Sequence, residues 1–492
     1  MRKFALLLAA TALASCSGAG EGASTSHLTG GDTILELMED ARIAVRAGEL
    51  AEAGGYYDDA LELEPENPGL WVDIARLRFR GGEHLTAIEA ADYALQLDSS
   101  YPPALLLRAQ LVRDSNGMVE ALPWFEAAVA ADPRNPEALA DYAATLGDLG
   151  RYKDMLRVVR ELAEIAPNYP QVHYLQAVLA ARAQDPVLAG TLLNRSGLVG
   201  RGVPSAMMLD AIINMQQGTF DTAVETLEAL AQRQPGNMRV RELLARALWL
   251  GGRDRDLVDR FADRAQAKGA SPYLVMLVGR SFERMGERER AIPYLERALA
   301  ARSNDMIVLE GSGMGSGSMP AATAEMRDFV QAGNTGLAQN LARTLLNRAP
   351  YSGDLHALAG DAALAGGDPV MALDLYEVSA RVRRSWPLTR KMIFGLGAIG
   401  DEATADALLA RYIAGDPQNT EALLLLAERS VAQDDWLRVA VVLDTAIGFG
   451  AGNDLEVLAL RARAASELGR EDEAATFTAL YRELSPGAFL TN

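Results

Sequence analysis

Catalysis and metal binding need reactive side chains in small groups, and in this chain they are scattered. The four histidines, His27, His84, His173 and His356, stand far apart with no partner at i,i+4. The spacing of a helical zinc site is therefore missing, and structural roles are expected for them. The glycine-rich stretch around Gly311 lacks the Lys-Ser/Thr of a phosphate loop and follows no strand pattern, and neither Ser312 nor Ser316 sits in G-x-S-x-G. It reads as a loop. Carboxylates are abundant, yet nothing in their spacing singles out a pair for acid–base work. No catalytic residue, metal site or cofactor is expected, and the chain reads as a non-enzyme.

What does recur is arginine, methionine and aromatic residues at regular spacing, and the elements that position them follow from a 34-residue period. The stretch Pro272 to Asp305 holds two short amphipathic helices joined at Gly286, a residue that tolerates a left-handed C-cap. Stepping back by 34 gives Met238, Pro204, Pro170, Pro136, Pro102, Pro68 and Ile34. Proline suits the first helical turn, where its fixed φ and missing N–H do no harm, so the register marks helix starts. The eighth position is Ala41, Ala75, Ala109, Ala143, Ala177, Ala211, Ala245 and Gly279, small every time. The twentieth is Ala53, Ala87, Ala121, Met155, Ala189, Ala223, Leu257 and Ala291. Two helices must cross closely at these places. Gly197, Gly200 and Gly202 should shorten one second helix.

The period, the small residues at positions eight and twenty, large residues at twenty-four (Tyr57, Phe125, Phe261, Leu295) and proline at thirty-two (Pro65, Pro133, Pro167, Pro235) resemble the tetratricopeptide repeat family. Trp71 alone keeps that family's tryptophan at position four. The resemblance implies an all-α fold, a superhelical solenoid of about thirteen helical hairpins in two arrays. The first array, residues 33–305, has eight repeats. A Gly/Ser-rich linker at 306–318 breaks the register, and about five looser repeats occupy 319–492, starting near Met319, Gly353, Trp386, Thr420 and Leu455.

The N-terminal residues 1–15 carry Arg2 and Lys3, an apolar run from Phe4 and small residues before Cys16, which reads as a secretory signal. Leu13-Ala14-Ser15-Cys16 resembles the lipobox of bacterial lipoproteins; an ordinary signal peptide containing a cysteine is the alternative. The lipoprotein resemblance implies lipidation at Cys16, the chain's only cysteine, and, with Ser17 following, an outer-membrane, periplasm-facing location. Residues 16–32 have flexible-linker composition, with a reach on the order of 20 Å, and form a tether. No other run is apolar enough to span a bilayer, so the membrane is met through the lipid anchor only.

In the family this chain resembles, the second, fifth, ninth, twelfth and thirteenth positions of each first helix line a groove. Here they include Arg42, Arg46, Arg76, Arg80 and Arg113, then Tyr174, Met208, Ile212 and Met215, then Arg246, Trp249, Tyr273, Met276, Arg280, Arg284 and Arg327. Arginine suits bidentate capture of carboxylates, and methionine with aromatics makes an adaptable apolar contact. A competing assignment pairs these arginines with helix neighbours such as Glu242 or Glu283 and packs Met and Trp between repeats. With 47 basic against 66 acidic residues and a formal charge of −19, nucleic acid is not expected as the partner. The expected function is a scaffold binding acidic or carboxylate-bearing segments of proteins in an envelope assembly or export machine: pilus, outer-membrane or exopolysaccharide secretion. Direct binding of an anionic polysaccharide is the alternative, and an enzyme is a third reading.

Overall fold

The computed structural model describes residues 33–235, 237–267, 270–299, 325–326, 329–330 and 332–484. The signal and tether (1–32), the linker (306–318) and Arg327 lie outside the described residues. Within them the chain is helical throughout, with no strand. Successive helix pairs run Ile34–Ala47 and Leu50–Leu63, Pro68–Arg80 and His84–Leu97, Pro102–Ser115 and Met118–Ala131, and so on to Leu455–Glu467 and Glu471–Leu484. Every first helix from repeat one to repeat eight begins on the residue that the 34-residue register marks.

Local chemistry explains these boundaries. Asn67 and Asn135 precede Pro68 and Pro136, and each carboxamide oxygen accepts from two first-turn amides: Gly69 N (2.9 Å) and Leu70 N (3.2 Å), Glu137 N (3.0 Å) and Ala138 N (3.1 Å). A capping side chain and proline at the next position thus satisfy the start of the helix together. Most first helices end before a glycine in the left-handed region, as at Gly286 (φ +80°), while Pro170–Arg182 and Thr420–Ala432 end before left-handed Gln184 and Asp434. Pro186–Ser196, at 11 residues, is shorter than the other second helices of the first array and stops at left-handed Gly197.

All eight residues at position eight and all eight at position twenty are buried. Gly279 shows how little room position eight leaves: a Cβ added there would stand 2.6 Å from Leu295 Cδ2 and 3.3 Å from Tyr294 Cβ. Apolar clusters run along neighbouring repeats, one from Leu37 to Leu111 and another from Met207 to Ala298. No helix among the described residues is long and apolar enough to cross a membrane.

Contacts divide the chain into two compact units, each drawing on both arrays. The first comprises the described part of residues 1–116, Pro123–Pro133 and Met326–Arg384. In it, helix ends of repeats two and three meet the later array: Leu85 N donates to Tyr351 O (3.3 Å), Gly353 N to His84 Nδ1 (3.2 Å) and Arg384 N to Asp114 O (2.8 Å). The second unit comprises Gly117–Leu122, Arg134–Glu325 and Ser385–Asn492. There Gln418 Nε2 donates to Asp148 O, and a Cβ at Gly117 would stand 2.7 Å from the Cα of Gly415. In both units groups at the ends of first-array helices, which have no partner inside their own helix, are satisfied by residues about eight repeats later.

Candidate functional site

Every described residue of the expected groove stripe is exposed or half-buried, and its methionines and aromatics in the Met207–Ala298 region also pack against the core. Its arginines nevertheless differ in what holds them. In the first unit, Arg42 and Arg76 share one buried carboxylate. Arg42 Nη2 lies 2.8 Å and its Nε 3.0 Å from Asp73 Oδ2, while Arg76 Nη1 is 3.7 Å from Asp73 Oδ1. Arg46 pairs with Glu39 at 2.9 Å, an exposed pair in which Arg46 holds the Glu39 carboxyl below the ordinary range. Arg80 Nη1 donates to Val45 O at 2.9 Å.

That last bond recurs. Arg284 occupies the same thirteenth position six repeats later, and its Nη2 donates to Trp249 O at 2.6 Å, again 35 residues back. Val45 O and Trp249 O each accept one backbone bond, from Gly48 N (3.3 Å) and Gly252 N (3.2 Å), and lie at the negative end of the helix dipole, so a guanidinium from the next repeat takes up their remaining acceptor capacity as a tertiary cap. Arg284 also pairs with Asp254 at 2.6 Å and stacks over the Trp249 ring, 4.7 Å from its centroid. Both arginines are engaged in joining repeats.

Arg113 of the first unit lies 4.0 Å from Asp114 and over the Phe125 ring, and Arg280 and Arg246 are the remaining described arginines of the stripe. Arg280 pairs with Glu283 along its own helix (3.1 Å), as the competing assignment has it. Arg246 is exposed and, among the described residues, has no ion-pair or hydrogen-bond partner, because two positions that serve other arginines of the stripe are changed around it. Three residues on, where Arg280 finds Glu283, stands Trp249. At the sixth position of the next repeat, where Arg42 finds Asp73, stands Leu277, buried in the core. Glu242, the other candidate partner, forms no ion pair with Arg246; burial raises its carboxyl above the ordinary range, Ser271 and Arg239 oppose the rise, and Glu421 adds to it.

Around Arg246 the surface is apolar. Met208, Trp249, Tyr273 and Met276 all lie partly buried against the Met207–Ala298 cluster. Burial raises the Tyr273 hydroxyl, with Arg246 opposing the shift. The Trp249 Nε1–H is buried and has no hydrogen-bond partner among the described residues. In the same unit, burial also raises Tyr174, and a hydrogen bond with Ser205 opposes it. Among the described residues no three His, Cys, Asp or Glu side chains converge as metal ligands would.

Sequence reasoning missed Asp73 and the reach of Arg80 and Arg284 into preceding repeats. The recurrence of Arg at position thirteen was the one available signal for that reach.

Comparison with known proteins follows the same lines. Models described as tetratricopeptide repeat match residues 117–179 and, for a second model, 39–102, 211–271 and 323–387. The cellulose synthase operon protein C of Pseudomonas fluorescens (strain SBW25) is 24% identical over 358 residues, covering 54% of this chain and 28% of that protein. The chain thus spans little more than a quarter of the length of the curated relative it matches. Solved structures similar to it include PilW, described as a widely conserved type IV pilus biogenesis factor (16% identity, 44% of this chain and 99% of that one, TM-score 0.36), and PilF of Pseudomonas aeruginosa (18%, 47% and 90%, TM-score 0.30). Its repeats match over more than half of its length, and the chain belongs to the tetratricopeptide repeat family.

Proposed function

We propose that the chain is a non-enzymatic, lipid-anchored scaffold that binds other proteins in an envelope export machine, facing the periplasm from the outer membrane. Arg246 carries the reading. It is an exposed guanidinium without a carboxylate of its own, on a face that also holds half-buried Trp249, Tyr273, Met208 and Met276. A guanidinium that has no internal partner keeps its full bidentate capacity for a carboxylate brought by another chain. The aromatic and methionine surface beside it supplies apolar area that adapts to a partner's shape. Acidic protein segments are the ligand class that fits. Likeness to a cellulose synthase operon protein favours exopolysaccharide export as the setting.

Pull-down from solubilised envelopes tests this. Arg246→Glu should weaken capture of the partner about tenfold, roughly 1.4 kcal/mol, with helicity unchanged and with wild-type capture falling as salt is added. Equal capture by wild type and Arg246→Glu, insensitive to salt, would overturn the assignment.

A further inference from the structure

We propose that His84 is an acid-operated latch, in which proton uptake by its imidazole releases the Gly353 N–H and separates the first turn of Gly353–Ala365 from the first turn of His84–Leu97.

The two helix N-termini cap each other. Neither the Gly353 nor the Leu85 amide has an acceptor within its own helix, since both lie in the first turn. Leu85 N donates to Tyr351 O at 3.3 Å, and Gly353 N donates to His84 Nδ1 at 3.2 Å. The helix His84–Leu97 has no side-chain cap from its own N-cap residue, Glu83, so the contact from residues 351–353 stands where a local cap is absent. Nδ1 accepts only while it carries no proton, which places the hydrogen on Nε2. On protonation Nδ1 becomes a donor facing a donor, and the bond is lost.

The ring is half-buried, 4.9 Å from the Phe79 ring on Pro68–Arg80. Two charged groups act on it from the residues packed against it: Asp354, which favours the protonated form, and Arg383, which opposes it. Glu83 adjoins it on its own side. Burial outweighs Asp354 and holds the imidazole below its ordinary 6.5. A depressed histidine favours the docked form fully above that ordinary value. As pH falls below it, the undocked form takes up the proton first, and docking weakens by up to about tenfold per pH unit until the depressed value is passed.

Hydrogen–deuterium exchange of the full-length protein, corrected for the intrinsic pH dependence of exchange, reads the latch directly. Peptides covering 351–357 and 84–88 should lose protection several-fold between pH 7.5 and pH 5.5. His84→Asn places an amide oxygen near the position of Nδ1 and takes up no proton; it should hold both peptides protected at both pH values. Should the asparagine variant lose helicity, an NMR titration of the His84 ring in the wild-type protein reads the latch instead: its midpoint should lie below the ordinary 6.5, and a midpoint at or above it would overturn the proposal. His356→Gln is the control, because His356 Nδ1 lies 2.8 Å from Ser352 O within the same turn. Unchanged protection in the wild type would overturn the proposal. So would a fall that persists in His84→Asn, or one that disappears in His356→Gln.

Discussion

Gly279 occupies the place where seven other repeats carry alanine, and the reason is the partner across the crossing. Leu295 and Tyr294 fill the space that an alanine methyl would need. Within a helix, Gly→Ala ordinarily stabilises by up to about 1 kcal/mol. Here overpacking should reverse the sign, and Gly279→Ala should lower stability by about 1 to 3 kcal/mol in denaturant titration. A stabilised variant would mean that Leu295 can swing aside without loss. The arginines teach the same lesson, since one residue type at one stripe has three fates: ion-paired, capping a carbonyl, or free.

Repeats are joined as well as stacked. The fit of each helix pair against the next is quasi-equivalent, so removing one whole period should leave the remaining repeats helical. Deleting Pro136 to Tyr169 removes Asp148 and Gly150, however, and with them the carbonyl that Gln418 caps and the glycine beside Gln418 and Phe449. The shortened protein should keep the wild type's ellipticity per residue and melt at a lower temperature. A random-coil spectrum would show that the period is not the unit of folding, and an unchanged melting temperature would show that the Gln418 contact adds nothing.

At the scale of the molecule, the formal charge of −19 disfavours nucleic acid as a partner, and in our proposal the residues before Ile34 set where the chain acts. Multiple acyl chains hold a protein at a bilayer where one gives only marginal binding. If Cys16 carries them, as we propose, Cys16→Ser should move the protein out of the lipid-attached fraction on detergent partitioning. Wild-type protein found free in the periplasm would remove the anchor from the reading. The −19 charge also makes Arg246 conspicuous, because arginines elsewhere on the stripe are largely engaged by the chain's own acids or carbonyls.

Helix starts were legible because they depend on a few neighbouring residues. Asn67-Pro68 and Asn135-Pro136 encode a cap and a first turn within four positions, and small residues at positions eight and twenty encode a close crossing whatever surrounds them. The groove stripe was legible too, as a face, because helical periodicity sets which side chains share one. Which of its arginines stay free was not. Arg42 is neutralised by Asp73, 31 residues on, and Arg284 by a carbonyl 35 residues back, whereas Arg246 finds Leu277 where a carboxylate would be needed. These outcomes depend on how one repeat lies on the next, a distance of a few ångströms that spacing does not specify. The bond from Gly353 to His84 spans 269 residues. Sequence determined the helices and their period, because those are set by local sterics and capping. Only the tertiary structure decided which charged and helix-end groups meet, because such partners come from distant repeats and are chosen by packing.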